Sequence, residues 1–202
     1  MEALEKTNKN EETALQIAAK YGNEGVVRQL LNFSPRESRE MINKRLSILY
    51  MAIVEGYTSM VKKMLEIEPS LAYAQFPDGT FPIHVATREG NMDLIRYFTE
   101  KHPHCVELLD PHGRNLFHIA AEENHKDLFR DMLIRCTNVE LNNARDYKGN
   151  TPLHIAAMKG HRSIMRAIWE NNCSAETVQN KEGLTPFQLS ARQLKVTEVC
   201  LN

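Results

Sequence analysis

The sequence predicts an all-α solenoid of about six helix-turn-helix repeats with β-turn fingers, filling residues 1–202 as a single domain. One observation behind this prediction is a heptad that recurs with starts at residues 13, 47, 81, 115, 151 and 185. Another is a Gly or Asn at a fixed distance after the heptad, found at Gly22, Gly56, Gly90, Asn124 and Gly160. An apolar pattern at helical spacing then follows each time. Because one helix pair cannot bury its own apolar stripe, such repeats must stack into a continuous core.

The heptad predicts the first, inner helix of each repeat. In the fifth repeat it reads Thr151-Pro152-Leu153-His154-Ile155-Ala156-Ala157. Threonine caps a helix, proline suits its first turn, and the alanines allow close helix approach. In the first and sixth repeats, Gln16 and Gln188 stand three residues after the threonine, which is the spacing of a capping box. The Gly or Asn that follows supplies a left-handed residue at the helix end.

The second, outer helix of each repeat is predicted from apolar residues three and four positions apart. In the fifth repeat these are Ile164, Met165, Ile168 and Trp169, and we expect Trp169 to lie in the core. In the last repeat, polar Glu198 and Asn202 fall where apolar residues belong, which predicts a short or irregular second helix. The first and last repeats are therefore the degenerate ones.

These patterns identify a known family. The run from Gly149 to Ala157, followed by Gly160 and His161, resembles the ankyrin repeat, and the resemblance covers nearly the whole chain. Ankyrin repeats carry a β-turn finger before the inner helix, and Asp110…Gly113, Asp146…Gly149 and Asn180…Gly183 fit it, while Phe76-Pro77-Asp78-Gly79 keeps the glycine. Repeats one and two depart from the pattern, since Asn10-Glu11-Glu12 and Lys44-Arg45-Leu46 stand there. The sequence therefore does not decide whether these two repeats form fingers.

A narrower resemblance concerns three segments. Leu49-Tyr50-Met51-Ala52, Pro69-Ser70-Leu71-Ala72 and Gly113-Arg114-Asn115-Leu116-Phe117-His118-Ile119-Ala120 are similar to the plant accelerated-cell-death type of ankyrin protein. Members of that type follow the repeats with a multi-span membrane domain and take part in defence and cell-death signalling. No such domain is present in these residues, so the resemblance also implies a truncated relative, a splice form or a fragment.

Composition and sequence runs argue against nucleic-acid binding, membrane insertion and secretion. The formal net charge of −1 gives no basic field for nucleic acid. The longest mostly apolar run, 46–54, is far shorter than the roughly 20 residues of a membrane-spanning helix. The amino-terminal residues do not form a secretory signal, and Cys105, Cys136, Cys173 and Cys200 lack disulfide or metal spacing. We expect reduced thiols, a cytoplasmic protein and no direct insertion into a membrane.

No residue pattern predicts catalysis, a cofactor or a metal. His84, His118 and His154 recur at one place in the repeat, and the ankyrin resemblance implies that they hydrogen-bond the inner helix to the neighbouring finger. The run His102-Pro103-His104-Cys105 holds three ligand types, but the second half of a zinc site is missing, so we expect a polar loop. The motifs of hydrolases, nucleotide-binding loops and metalloproteases are absent from the sequence.

A protein partner is expected on the concave side, at the fingertips and just after the paired alanines, because residues there vary between repeats. The candidate partner-binding residues are Phe76, Asp78, Arg88, Glu89, His112, Arg114, Glu122, Glu123, Tyr147, Lys148, Asn150, Met158, Lys159, Lys181, Glu182, Leu184 and Arg192. Among them, Phe76, His112, Tyr147, Met158 and Leu184 are expected to face solvent. Aromatic and Arg side chains dominate interface energy, so this set predicts a groove.

Charge suggests the character of the partner. Glu122 and Glu123 predict an acidic centre, and Lys148, Lys159, Lys181 and Arg192 predict a basic end that would receive an acidic tract of the partner.

Two functional classes remain open. One is a cytoplasmic interaction module in plant defence or cell-death signalling, with a partner that includes membrane proteins of the same family at the plasma membrane. The alternative is the soluble regulatory part of a longer multi-span membrane protein. The oligomeric state is left open.

Overall fold

The computed structural model describes residues 6–9, 12–33, 39–136, 140–171 and 177–191. It divides into two compact units, Met1–His102 and Pro103–Asn202, each of which is built from stacked helix pairs. In the described residues the secondary structure is α-helix and short 3₁₀ helix, with one isolated bridge between Thr7 and Thr13. The all-α fold class is thus confirmed, while the single domain stays a prediction.

The first unit contains six α-helices among its described residues. They are α1 (Ala14–Lys20), α2 (Glu24–Phe33), α3 (Arg39–Val54), α4 (Thr58–Ile67), α5 (Pro82–Arg88) and α6 (Met92–Lys101). A 3₁₀ helix, Pro69–Tyr73, follows α4. Inner helices α1, α3 and α5 pack in sequence, as do outer helices α2, α4 and α6. This is the stacking that the heptad and outer stripe predict.

The second unit repeats the arrangement over its described residues. Its helices are α7 (Leu116–Glu122), α8 (Lys126–Arg135), α9 (Pro152–Lys159) and α10 (Arg162–Asn171), and residues 186–191 are also helical. The 3₁₀ helices Pro103–Glu107 and Leu141–Asn143 lead toward the fingers. Inner helices α7 and α9 pack together, and outer helices α8 and α10 do the same. The described helices of the second unit therefore stack inner on inner and outer on outer, as in the first unit.

Left-handed residues end the inner helices where the sequence predicts them. Gly160 caps α9 with φ 72°, a conformation that costs glycine nothing because it lacks Cβ. Asn124 takes the same place after α7 with φ 60°, and it is the sole non-glycine residue with positive φ in the described part of the chain. Asn tolerates this region because its side chain is short and polar.

The core of the second unit centres on two phenylalanines. Phe117 of α7 and Phe129 of α8 are fully buried and meet edge to face, with ring centroids 5.3 Å apart. Ile164 and Ile168 of α10 are buried as predicted. The prediction that Trp169 is a core residue is wrong, because 58% of its surface is exposed. The buried face of α10 is formed by Ile164, Ala167 and Ile168, and Trp169 lies outside it.

The first two repeats differ in whether they form a finger. In repeat one the N–H of Asn8 donates to the carbonyl of Glu12 (2.9 Å), and the Asn8 side chain accepts the Glu12 N–H (3.0 Å). Asn8 therefore closes a turn there. In repeat two, α3 runs without a break from Arg39 through the heptad, so its residues 39–54 have no finger. Arg45, which stands where a finger would be, is buried and pairs with Glu68.

Candidate functional site

Three fingers of the second unit, 110–114, 146–150 and 180–184, have the same internal bonding. In each, the N–H of the first residue donates to the carbonyl of the fifth, over 2.9, 2.8 and 3.0 Å. The side-chain oxygen of the first residue also accepts two backbone N–H groups. Asp146 Oδ1, for example, receives those of Lys148 (2.8 Å) and Asn150 (2.7 Å). Such Asx-type bonding fixes the loop, so the tip side chains are held in place.

Hydrogen bonds join these fingers into one ribbon. The Tyr147 N–H donates to the His112 carbonyl (2.9 Å), and the Lys181 N–H donates to the Lys148 carbonyl (3.0 Å). Deeper down, Asn180 Nδ2 donates to Asn150 Oδ1 (2.9 Å), and both residues are buried. The second unit therefore presents its fingertips as a continuous surface.

The repeated histidines attach this ribbon to the helices. His154 Nδ1 accepts the Thr151 N–H (3.1 Å), and its Nε2 donates to the Leu184 carbonyl in the next finger (3.1 Å). His118 makes the equivalent pair of bonds with the Asn115 N–H (3.3 Å) and the Asn150 carbonyl (3.0 Å). The predicted structural role is confirmed for both. Burial lowers the pKa of each imidazole, which favours the neutral tautomer that this bonding requires.

Tyr147 is an exposed aromatic side chain held against the preceding finger. Its ring is 63% exposed by residue surface, yet it lies so close to Gly113 that a Cβ there would stand 2.5 Å from Tyr147 Cδ1. Gly113 also has φ 75°, so glycine serves both the turn and the close approach. Because the ring is already restrained, a partner that packs on it loses less side-chain entropy on binding.

An ion-pair network stiffens the base of the fingers. Arg114 Nε lies 2.7 Å from Asp110 Oδ2, and its Nη1 lies 2.5 Å from Glu122 Oε2. Lys159 Nζ approaches the other oxygen of Glu122 at 3.3 Å. Burial alone would raise the pKa of Asp110 and Glu122, but hydrogen bonds and the charges of Arg114 and Lys159 outweigh it, so the pKa of each carboxyl is lowered. Both carboxyls are therefore charged at neutral pH.

A groove of about 450 Å³ lies between these fingers and the ends of the inner helices. It brings together nine of the predicted site residues: His112, Arg114, Glu122, Tyr147, Lys148, Asn150, Met158, Lys159 and Glu182. Four further lining residues were not predicted: Asp146, Ile155, Asn180 and Leu189. Ile155 and Leu189 occupy the same heptad position, for which no role in partner binding was expected. We call the exposed rim, His112, Tyr147, Lys148, Met158 and Lys159, the finger surface.

Two predicted contact residues are buried instead of exposed. Phe76 is only 3% exposed because it takes the first finger position, where Asp110, Asp146 and Asn180 are also buried, and it packs edge to face on Tyr50 at 5.1 Å. Asn150 is 4% exposed because it takes the fifth position and donates to Asp146 Oδ2 (3.3 Å). Both expectations of solvent exposure are therefore wrong.

The remaining predicted residues lie at several places. In the first unit, Asp78 and Glu89 are exposed and Arg88 is half-buried, and Asp78 Oδ1 accepts the Thr80 hydroxyl (2.7 Å). In the second unit, Glu123 and Lys181 are exposed and Leu184 is half-buried. Arg192 lies outside the described residues, as do Cys173 and Cys200. The carboxylate of Glu122 at the predicted acidic centre is already paired within the chain, with Arg114 and Lys159.

A larger groove of about 1080 Å³ lies beside α10, and its lining includes Leu153, Met165, Trp169 and Phe187. Arg166 and Glu170, which pair over 2.7 Å, also line it. The finger surface differs in that backbone hydrogen bonds between successive fingers hold its tips. We therefore build the site on the finger surface.

Other chemistry finds little support in the described parts of the chain. They contain no group of three or more His, Cys, Asp or Glu side chains placed to hold a metal ion. The expected polar loop is instead a 3₁₀ helix, Pro103–Glu107, with Cys105 buried. Burial raises the pKa of the Cys105 thiol to about 12 and that of Cys136 to about 11, so both stay protonated and unreactive. Among the described helices, none has the length and apolar character to cross a membrane.

Replacing Gly113 by alanine is expected to displace the Tyr147 ring. The new Cβ would overlap Tyr147 Cδ1, and the left-handed backbone would cost about 1–2 kcal/mol. Gly183→Ala is the matched control, because Gly183 has the same finger position and φ 73° but no atom within 4 Å of the added Cβ. Urea unfolding should show similar destabilisation of both variants, whereas only Gly113→Ala should shift the Tyr147 ring resonances in an NMR spectrum. Unchanged Tyr147 resonances in Gly113→Ala would contradict the packing.

Comparison with known proteins addresses the whole chain. The model of one family, ankyrin repeats (3 copies), matches residues 2–72, 49–143 and 117–201. A search of curated proteins gives no match.

Proposed function

Because this chain belongs to the ankyrin-repeat family, we propose that it is a non-catalytic module that holds a protein partner on its finger surface. Ankyrin repeats are generally protein–protein interaction modules. The observation that carries the proposal is the exposed Tyr147 ring, restrained against Gly113 and beside the groove that Met158 lines. Function in such a fold depends on surface residues, since the scaffold is shared.

The chemistry of the finger surface suits a protein partner. Tyrosine offers a large contact area with a polar tip and is enriched at binding hot spots. Met158 is exposed, and its flexible thioether adapts to the shape of a neighbouring apolar group. Lys148 and Lys159 flank these side chains with charge. The combination of an apolar centre and a polar rim is typical of protein interfaces.

The finer proposal is that the module acts in plant defence or cell-death signalling in the cytoplasm. Its support is the resemblance of segments 49–52, 69–72 and 113–120 to the plant accelerated-cell-death type. The same resemblance supports the alternative, a soluble regulatory part of a longer multi-span membrane protein. Partners at the plasma membrane, including membrane proteins of the same family, fit both. Sequencing the transcript beyond the codon for Asn202 separates them, because several apolar spans there would favour the alternative.

Removing the apolar centre is expected to abolish partner binding. In affinity capture from a plant-cell lysate, Tyr147→Ala with Met158→Ala should reduce the retained partner by about tenfold or more, as for loss of hot-spot side chains. Both residues are exposed, so the fold should persist, which circular dichroism checks. The matched control is Tyr21→Ala with Ile134→Ala, which removes an exposed aromatic and an exposed aliphatic group from elsewhere.

The control variant should retain the partner as the parent does. Equal retention by the Tyr147 and Met158 double variant would exclude the finger surface as the site. Loss with the control variant alone would move the site away from the finger surface, to the surroundings of Tyr21 or Ile134. The identity of the retained protein tests the finer proposal, since a defence-signalling protein would support it and an unrelated housekeeping protein would contradict it.

A further inference from the structure

The charges around the groove are not equally available to a partner. Lys159 is engaged by Glu122, and Arg114 is engaged by both Asp110 and Glu122, so this network is internally neutral. The carboxylate oxygens of Asp146 accept hydrogen bonds from the backbone N–H groups of Lys148 and Asn150 and from the Asn150 side chain. A partner charge that approached these groups would compete with bonds that already exist.

Lys148 is the exception among the cations that line the groove. Its backbone N–H and carbonyl are bonded within the finger ribbon, but its ammonium has no ion-pair or hydrogen-bond partner in the part of the chain that the structure describes. Lys148 follows Tyr147 directly at the same exposed fingertip. An unpaired ammonium therefore lies beside a restrained aromatic ring in the lining of the groove.

The finger next to that of Lys148 carries a group of the opposite charge. Glu182 is an exposed carboxylate on the next finger, where Asn180 Oδ1 holds its backbone N–H (3.0 Å). It would repel a second acidic group that extended past Lys148 in that direction. Lys181 is also exposed on that finger, so the acidic tract stays a prediction, and the repulsion from Glu182 favours a single carboxylate at Lys148.

We propose that the groove takes a protein segment with one aromatic or aliphatic side chain next to one Asp or Glu. The apolar side chain packs between Tyr147 and Met158 above Ile155 and Leu189, and the carboxylate pairs with Lys148. The volume of about 450 Å³ lies in the range of pockets that enclose small ligands, which suits one large side chain and its backbone. This inference rests on the proposed function, because it names what the finger surface recognises.

The test is selection of binders from a random linear peptide library displayed on phage, with the full chain as bait. Enriched peptides should share an apolar residue with Asp or Glu one to three positions away. A synthetic copy of the most enriched peptide, labelled with fluorescein, is then titrated by anisotropy. Lys148→Glu should weaken its binding by about tenfold or more, since a favourable charge pair becomes a repulsive one.

Matched variants separate this pair from general electrostatics. Lys126→Glu makes the same charge change at an exposed lysine that starts α8, and it should alter binding less than twofold, by roughly the effect expected of a screened distant charge. Changing the peptide carboxylate to its amide should weaken binding to the parent but not to Lys148→Met. That double-mutant cycle assigns the contact to Lys148.

Each outcome bears on a different claim. Peptides that lose binding with Tyr147→Ala but lack an acidic residue, or ignore Lys148→Glu, would overturn the inference and leave the proposed function standing. Peptides that bind Tyr147→Ala as well as the parent would overturn both. Enrichment of no peptide would overturn the inference, because the groove is proposed to take a linear segment. A dimer of the chain alone that Tyr147→Ala dissociates would assign the groove to a second copy and overturn it as well.

Discussion

Replacing Phe129 by alanine should lower the free energy of unfolding of the second unit by about 3–5 kcal/mol, the usual cost of truncating a buried phenylalanine. Phe129 is fully buried in α8, and the ring of Phe117 meets it edge to face. Alanine would remove that aromatic pair and leave a cavity that tightly stacked helices fill only in part. Because each repeat supports its neighbour, the loss should spread through the stack.

Urea unfolding followed by tryptophan fluorescence measures this effect directly. Trp169 is the only tryptophan, and it lies on α10, which packs against α8. Ile134→Ala is the matched control on the same helix, because Ile134 is 81% exposed and should change stability by less than about 0.5 kcal/mol. Equal destabilisation by both variants would contradict the assignment of Phe129 to the core.

The repeat frame could be predicted from the sequence because it depends on spacing alone. Heptad starts placed the inner helices, and the stripe around Phe129 placed the outer ones, since helical periodicity does not depend on distant contacts. Trp169 could not be placed in the same way. A stripe covers about 100° of a helix, and whether its last member is buried depends on the neighbouring helix, which the periodicity does not describe.

The site was predicted in part for a similar reason. Tyr147 and Met158 follow from their places at a fingertip and after the paired alanines, and both are exposed. Phe76 was misjudged because the first finger position is buried at Phe76, Asp110, Asp146 and Asn180, although it is exposed at Asn8, and residue type alone does not reveal this. The bond between Arg114 and Glu122 depends on how a finger folds over its helix, so no sequence spacing indicated it.

His118 and His154, which occupy the same position in successive repeats, should make the free energy of unfolding depend on pH. Burial lowers the pKa of His118 and His154 in the folded state, against about 6.5 when unfolded. Nearby charges modify this: Asp110 and Asp146 raise the pKa of His118 and Arg114 lowers it. The unfolded chain therefore binds more protons below pH 6.5, and stability must fall as the pH falls through this range.

The expected slope is up to about 1.4 kcal/mol per pH unit for each histidine that stays neutral only when folded. The loss should begin near pH 6.5 and continue toward the folded-state pKa of each imidazole. The carboxyls of Asp110 and Glu122, whose pKa values are lowered, add a separate loss only below about pH 4. Urea unfolding monitored through Trp169 between pH 7.5 and 5 would measure the histidine part.

Glutamine offers a variant that keeps the local bond but cannot titrate. In the sixth repeat, Gln188 Oε1 accepts the Thr185 N–H (2.9 Å), the same bond that His154 Nδ1 accepts from Thr151 (3.1 Å). Replacing both His118 and His154 by glutamine should therefore reduce the slope of the stability profile between about pH 6.5 and 5, whatever its effect at pH 7.5, while His102, whose pKa burial also lowers, would still contribute. His104→Gln, at an exposed histidine, should leave the slope as it is in the parent. The double variant lacks both buried imidazoles. If its slope were unchanged, the protons taken up on unfolding would bind to other groups, and the prediction would be wrong.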